Sequence, residues 1–139
     1  MVPQKIKSRH LLPAFTLQEL LIVLVIMGIL ILLALPNLMP LISKTKSMEA
    51  QINLKHVYTL QRSYFLQYSK YNASLEELGF EHEKTIEENG NANYRIQIVS
   101  AENGSFIARA TALVDFDGDG QFNVWEIDQD EQLREVTKD

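Results

Sequence analysis

Residues 15–35 read FTLQELLIVLVIMGILILLAL, apolar apart from Thr16, Gln18 and Glu19, and Pro36 follows directly. As a helix rising about 1.5 Å per residue, this stretch reaches roughly 30 Å, the thickness of a bilayer's hydrocarbon core. It therefore reads as a membrane-spanning helix. Glu19 is out of place in it. A carboxylate just inside an apolar span costs on the order of a few kcal/mol in lipid unless the charge finds a partner.

The 139-residue chain is 46% hydrophobic with a mean hydropathy near zero, an average that hides a lipophilic stretch joined to a polar remainder. Without that stretch, about a hundred residues are left, enough for one small domain. Met1–Ala14 carries Lys5, Lys7 and Arg9 and no acid, so removing it deepens the formal charge from −5 to −8. The basic start keeps this end cytoplasmic by the positive-inside rule, which sends the polar domain outward. The acidic remainder argues against nucleic-acid binding. With no cysteine there is neither a disulfide nor a thiolate metal site. No phosphate loop, G-x-S-x-G or H-E-x-x-H occurs, and His10, His56 and His82 are scattered, so no active site is apparent and the chain does not read as an enzyme.

A secretory signal has the same basic start, but its apolar part is shorter and is followed by a small-residue cleavage site. Here Pro13 and Ala14 precede the apolar run. The segment Ala14-Phe15-Thr16-Leu17-Gln18-Glu19-Leu20-Leu21-Ile22-Val23 resembles the class III signal of type IV pilins and type II secretion pseudopilins, with Phe first and Glu fifth after the cut. Pro36-Asn37-Leu38-Met39 resembles the place where that family's long helix is interrupted. The sequence departs from the pattern at Ala14, usually Gly, and at Gln18, usually apolar.

The resemblance implies a leader of residues 1–14 cut between Ala14 and Phe15 by a prepilin peptidase, then a methylated amine on Phe15. It implies an α+β fold: a long N-terminal helix packed on a small antiparallel sheet, with residues 15–35 as its membrane and filament-core half, 36–71 as its second half, and 72–139 as a globular head. It also implies a bacterial inner-membrane subunit with a periplasmic head. Its partners would be copies of itself, other pilins or pseudopilins, lipid and an assembly platform. Glu19 would pair with a neighbouring subunit's Phe15 amine. The other reading of Glu19 places it at the membrane interface, near the positive end of the helix dipole.

Pro36 and Pro40 each remove a backbone donor, which predicts a kink or local unwinding between about Leu33 and Leu41. Past them, Ile52, Val57, Leu60, Tyr64, Tyr68 and Tyr71 mark an apolar stripe for the head. Ser74, with Glu77 three residues on and Gly79 as a stop, reads as one short helical turn. Strands are expected over 94–99, 106–114 and 122–127, the first two joined at Asn103-Gly104, with Ala108, Ala110 and Ala112 on one face. Glu81–Asn93 reads as a polar loop.

Asp115-Phe116-Asp117-Gly118-Asp119-Gly120-Gln121-Phe122-Asn123-Val124-Trp125-Glu126 fits a twelve-residue calcium loop. Asp115, Asp117 and Asp119 offer carboxylates, Gln121 its carbonyl, Asn123 an amide oxygen or bridging water, and Glu126 a bidentate carboxylate, with Asp128 its alternative. Gly120 allows the sharp turn. The flanks read as strands, so this is a calcium loop without an EF-hand. Oxygen-only ligands favour Ca2+ over zinc, and a metal clip suits a small head without disulfides.

The acidic, cysteine-free head and calcium loop favour a type II secretion pseudopilin, whose filament drives protein export from the periplasm. A type IV pilus subunit and an unprocessed single-pass protein with a calcium-binding head are the alternatives.

Overall fold

The computed structural model describes residues 15–138. The expected leader, Ala14 included, lies outside them. Helix α1 runs over Leu17–Tyr68, and the four strands β1 (Tyr94–Ala101), β2 (Phe106–Ala112), β3 (Val124–Asp128) and β4 (Leu133–Thr137) form one antiparallel sheet in the order β1-β2-β3-β4. This is the α+β, pilin-like architecture expected from the sequence. The chain divides into two compact units, one ending at Pro36 and one beginning at Asn37.

In the first unit, Leu17–Leu35 is long and apolar enough to cross a membrane, with a mean hydropathy of 2.7 and none of it buried within the chain. The helix assignment runs on through Pro36 and Pro40, so the local unwinding expected there is not seen. Each proline deletes one i→i−4 bond, and the helix nonetheless continues across both.

In the second unit α1 lies on the sheet along a line that shares only Val57 with the expected stripe, although Leu60 and Tyr71 of that stripe also pack against the core. Ser43, Ser47, Ala50, Leu54, Val57 and Gln61 are the buried positions, spaced alternately four and three apart, whereas Ile52 is 66% exposed and Tyr68 57% exposed. The buried line is one helix face with an average period of 3.6. Serine, alanine and glutamine hide it from a hydropathy reading. Small residues are what the partner surface needs: Ala108, Ala110 and Ala112 turn inward from β2, all buried, and let α1 approach close enough for Leu54 and Val57 to reach Tyr94, Ile96, Phe106 and Ile127.

Polar side chains fasten the ends of this contact. Glu49 accepts hydrogen bonds from the Asn93 amide (2.8 Å), the Asn93 side chain (2.8 Å) and the Tyr94 amide (3.3 Å), tying the start of β1 to the helix. Further along, buried Gln61 grips the Asn72 backbone at both ends, donating to its carbonyl at 2.6 Å and accepting from its amide at 3.0 Å. The helix stops at Tyr68, three residues before the expected limit, where Ser69 takes a left-handed φ of 56°.

The Ser74 turn forms as expected, with the Ser74 hydroxyl accepting from the Glu77 amide at 3.3 Å and Gly79 at φ 74°. Residues 81–93 are more ordered than a solvated loop. Thr85 and Glu88 close a capping box on a 3-10 turn, Ile86–Glu88, and Thr85 bridges Ala92. β4 was not anticipated. Its sequence, Leu-Arg-Glu-Val-Thr, is charged and largely exposed, as suits an edge strand. Asp128 accepts the Asp130 and Gln132 amides, both at 3.0 Å, and so builds the β3–β4 turn.

Candidate functional site

Two places carry the chemistry read from the sequence, the start of α1 and the acidic turn between β2 and β3.

At the start of α1, Thr16 and Glu19 form a reciprocal cap. Glu19 Oε2 accepts from the Thr16 amide at 2.8 Å and from its hydroxyl at 2.9 Å, while the Glu19 amide donates to Thr16 Oγ1 at 3.3 Å. Both donors would otherwise be orphaned at a helix N-terminus. Thr16 was not among the expected site residues, although Thr-x-x-Glu before an apolar run is the sequence signal of such a box. Phe15 stands just outside, 85% exposed. Glu19 thus lies in the first turn, where the helix dipole favours a negative charge.

In the acidic turn, Asp115, Asp117 and Asp119 bring one carboxylate oxygen each within 4.8 Å of one another. Asp115 organises the loop: its Oδ1 accepts the Gly118 amide at 2.6 Å and its Oδ2 the Gly120 amide at 2.7 Å. Those bonds, the one from Gly120 foremost, hold its carboxyl below the usual carboxylate range despite an opposing push from desolvation. Asp117 Oδ1 accepts from the Asp119 amide and Asp119 Oδ1 from the Gln121 amide, at 3.0 and 2.7 Å. The tight winding needs Gly118 and Gly120 at φ 83° and 86°, a region that side chains strain to adopt. Three hard oxygen donors at this spacing can chelate a metal ion.

Glu126 and Asn123, two of the other expected ligands, are engaged by groups outside this cluster. Glu126 lies on β3 with its carboxylate between two arginines: Oε1 accepts from Arg109 Nε and Nη2 at 2.9 and 2.6 Å, and Oε2 from Arg134 Nε and Nη2 at 3.4 and 3.1 Å. The cause is sheet register, which sets Arg109 and Arg134 directly opposite Glu126 on the neighbouring strands. Burial pushes the Glu126 carboxyl up, but the arginine hydrogen bonds outweigh it and the net shift is downward. Asn123 is fully buried and its amide is engaged in the core, accepting from the Tyr94 hydroxyl at 2.9 Å and donating to Glu135 at 2.7 Å and the Thr137 carbonyl at 3.1 Å. Gln121 stays in the turn, its side-chain amide donating to Asp119 at 3.1 Å. Asp128, the alternative to Glu126, is spent on the β3–β4 turn.

No family model matches the chain. Over 70 residues it is 43% identical to the type IV major pilin protein PilA of Myxococcus xanthus (strain DK1622), a match covering 50% of this chain and 32% of that protein. The chain thus spans about a third of the length of the curated relative it matches.

Proposed function

We propose that this chain is a structural subunit of a type IV filament. One observation carries the reading: a 19-residue apolar helix segment, none of it buried within its own chain, begins two residues after Phe15 with a carboxylate, Glu19, in its first turn. Such a surface is satisfied by lipid before assembly and by the equivalent helices of other subunits afterwards. The similarity to a type IV major pilin and the helix-on-sheet fold support the same conclusion.

On this reading the leader is cut after Ala14 by a prepilin peptidase and Phe15 becomes the N-terminus, its amine methylated. The amine of one subunit pairs with Glu19 of the next; opposite charges attract strongly in a low-dielectric filament core, and the pairing would set register. The positive charge before residue 15 directs the head to the periplasmic side of the inner membrane. Force comes from an assembly platform, and the subunit itself catalyses nothing. The three aspartates hold Ca2+, a structural clip closing the β2–β3 turn, with any further ligands drawn from water or the turn's own carbonyls.

The calcium turn in an acidic, cysteine-free chain favours the pseudopilus of a type II secretion system. The likeness to a major pilin favours a surface pilus, and that is the second reading. Mass spectrometry of the membrane-extracted chain, with and without the cognate peptidase, tests the core of the proposal. A chain starting at Phe15, methylated, is expected; a start at Met1 or Val2 in cells that hold an active peptidase overturns it. Deletion then separates the machines: loss of protein export identifies a pseudopilin, and loss of surface filaments a pilus subunit.

A further inference from the structure

Among the described residues β1 has a strand on one side only. An exposed edge of this kind presents unpaired amides that invite another strand. Here side chains take them. Glu49 receives the Tyr94 amide, and the next outward amide, that of Ile96, donates to Nε2 of His82 at 3.1 Å. The other ring nitrogen of His82, Nδ1, lies 2.5 Å from the Glu83 carbonyl oxygen. These partners fix the protonation state. A backbone amide can only donate, so Nε2 is bare; a carbonyl oxygen can only accept, so Nδ1 carries the proton and the ring is neutral.

We propose that His82 is a proton-sensitive latch that holds the 81–93 segment against the outer edge of β1. A proton added at Nε2 turns the acceptor into a donor facing the Ile96 N–H, and the ring must leave. It has somewhere to go: an open cavity of about 450 Å³ beside it is lined by His82, Lys84, Thr85, Glu87, Glu88 and Arg95. The charged groups around the ring are mixed. Its own segment contributes Glu81, Glu83, Lys84, Glu87 and Glu88, with Glu88 held ionised by the Thr85 hydrogen bonds. β1 contributes Arg95, ion-paired with Glu87, and α1 contributes His56, tilted against the Phe80 ring with centroids 5.4 Å apart, the same Phe80 ring that meets His82 edge-on. Release bares the Ile96 amide and frees the edge of β1 for pairing, so exposure of this edge follows protonation of the ring.

The test uses the full 15N-labelled chain in detergent micelles. At pH 8 the His82 ring should show a protonated Nδ1 and a bare Nε2, and the exchange protection factor of the Ile96 amide should fall about tenfold or more between pH 8 and pH 5, while that of Ala110 in the middle of the sheet holds. His82→Gln, whose side-chain oxygen accepts at either pH, should keep the protection at both; His82→Ala should lack it at both. Equal protection of Ile96 in the wild-type chain at the two pH values, or a protonated Nε2 at pH 8, overturns the proposal, and both readings need no variant to fold.

Discussion

Glu126 separates two accounts of the acidic region, because a twelve-residue calcium loop needs it as a ligand and the sheet uses it as a counter-ion. Replacing it with Gln removes the charge and keeps the shape. Its side chain is only 9% exposed, whereas those of Arg109 and Arg134 are 37% and 53% exposed. The two guanidiniums left behind can therefore turn toward water, and the loss should fall below the 3–5 kcal/mol of a fully buried pair, at about 2 kcal/mol. For a head of about a hundred residues that lowers Tm by roughly 10 °C. Trp125, the chain's one tryptophan, lies next to Glu126 and reports the transition by fluorescence in the full chain in micelles. Calcium at a hundred times its Kd should then raise Tm by the same amount in Glu126→Gln as in the wild type, about 2.7 kcal/mol of stabilisation, and by nothing when Asp117 and Asp119 are both changed to Ala. The pH dependence has a definite sign. The Glu126 carboxyl is depressed in the folded state, so its contribution is present above the ordinary glutamate range and is lost as pH falls through its lowered folded value; Glu126→Gln should flatten that acid limb. A variant with unchanged stability in chelator but a diminished calcium shift would refute the argument, because it would place Glu126 on the metal.

Two further outcomes test the packing. Ala110→Leu puts a large side chain on the middle strand, where the alanine is fully buried against α1, and overpacking should cost about 1–3 kcal/mol, read as a lower Tm in the same fluorescence melt. In Gly90→Ala the new methyl would stand 1.9 Å from the Lys84 carbonyl oxygen, the acceptor of the Ala92 amide, so hydrogen exchange at Ala92 should speed up about tenfold or more while the global melt moves little.

What could be read in advance was whatever the chain settles locally. The span announces itself by composition, and the strands of the β1–β2 hairpin by alternation around Asn103-Gly104. The aspartate turn is also local: each carboxylate bonds an amide two to five residues on, so spacing along the chain is spacing in space. The arginine pairing of Glu126 was not legible because its partners, Arg109 and Arg134, are set by cross-strand register, which no local pattern carries. The helix stripe was legible only in part, at Val57, Leu60 and Tyr71, for a different reason. Its buried line is Ser43, Ser47, Ala50, Leu54, Val57 and Gln61, chosen for size against an alanine-faced strand, and a reading weighted by hydrophobicity moved to the tyrosines. β4 was missed because edge strands carry charge.

The same misreading shows how one helix serves two surroundings. Its first part, Leu17–Leu35, exposes large apolar side chains along its whole length. The second part holds the head with few large side chains, Leu54 and Val57 among them, and supplements them with hydrogen bonds made by half-buried Glu49 and buried Gln61. Glu49 and Gln61 stand twelve residues apart, roughly 18 Å along the axis, and between them they tie down the first strand and the returning chain after the helix. Directional bonds of this kind fix where the sheet sits on the helix, which apolar contact alone leaves adjustable. On the proposed filament reading, a subunit whose span moves from lipid into a filament needs a head that keeps its place on the helix, and the bonds made by Glu49 and Gln61 lie wholly within the second unit.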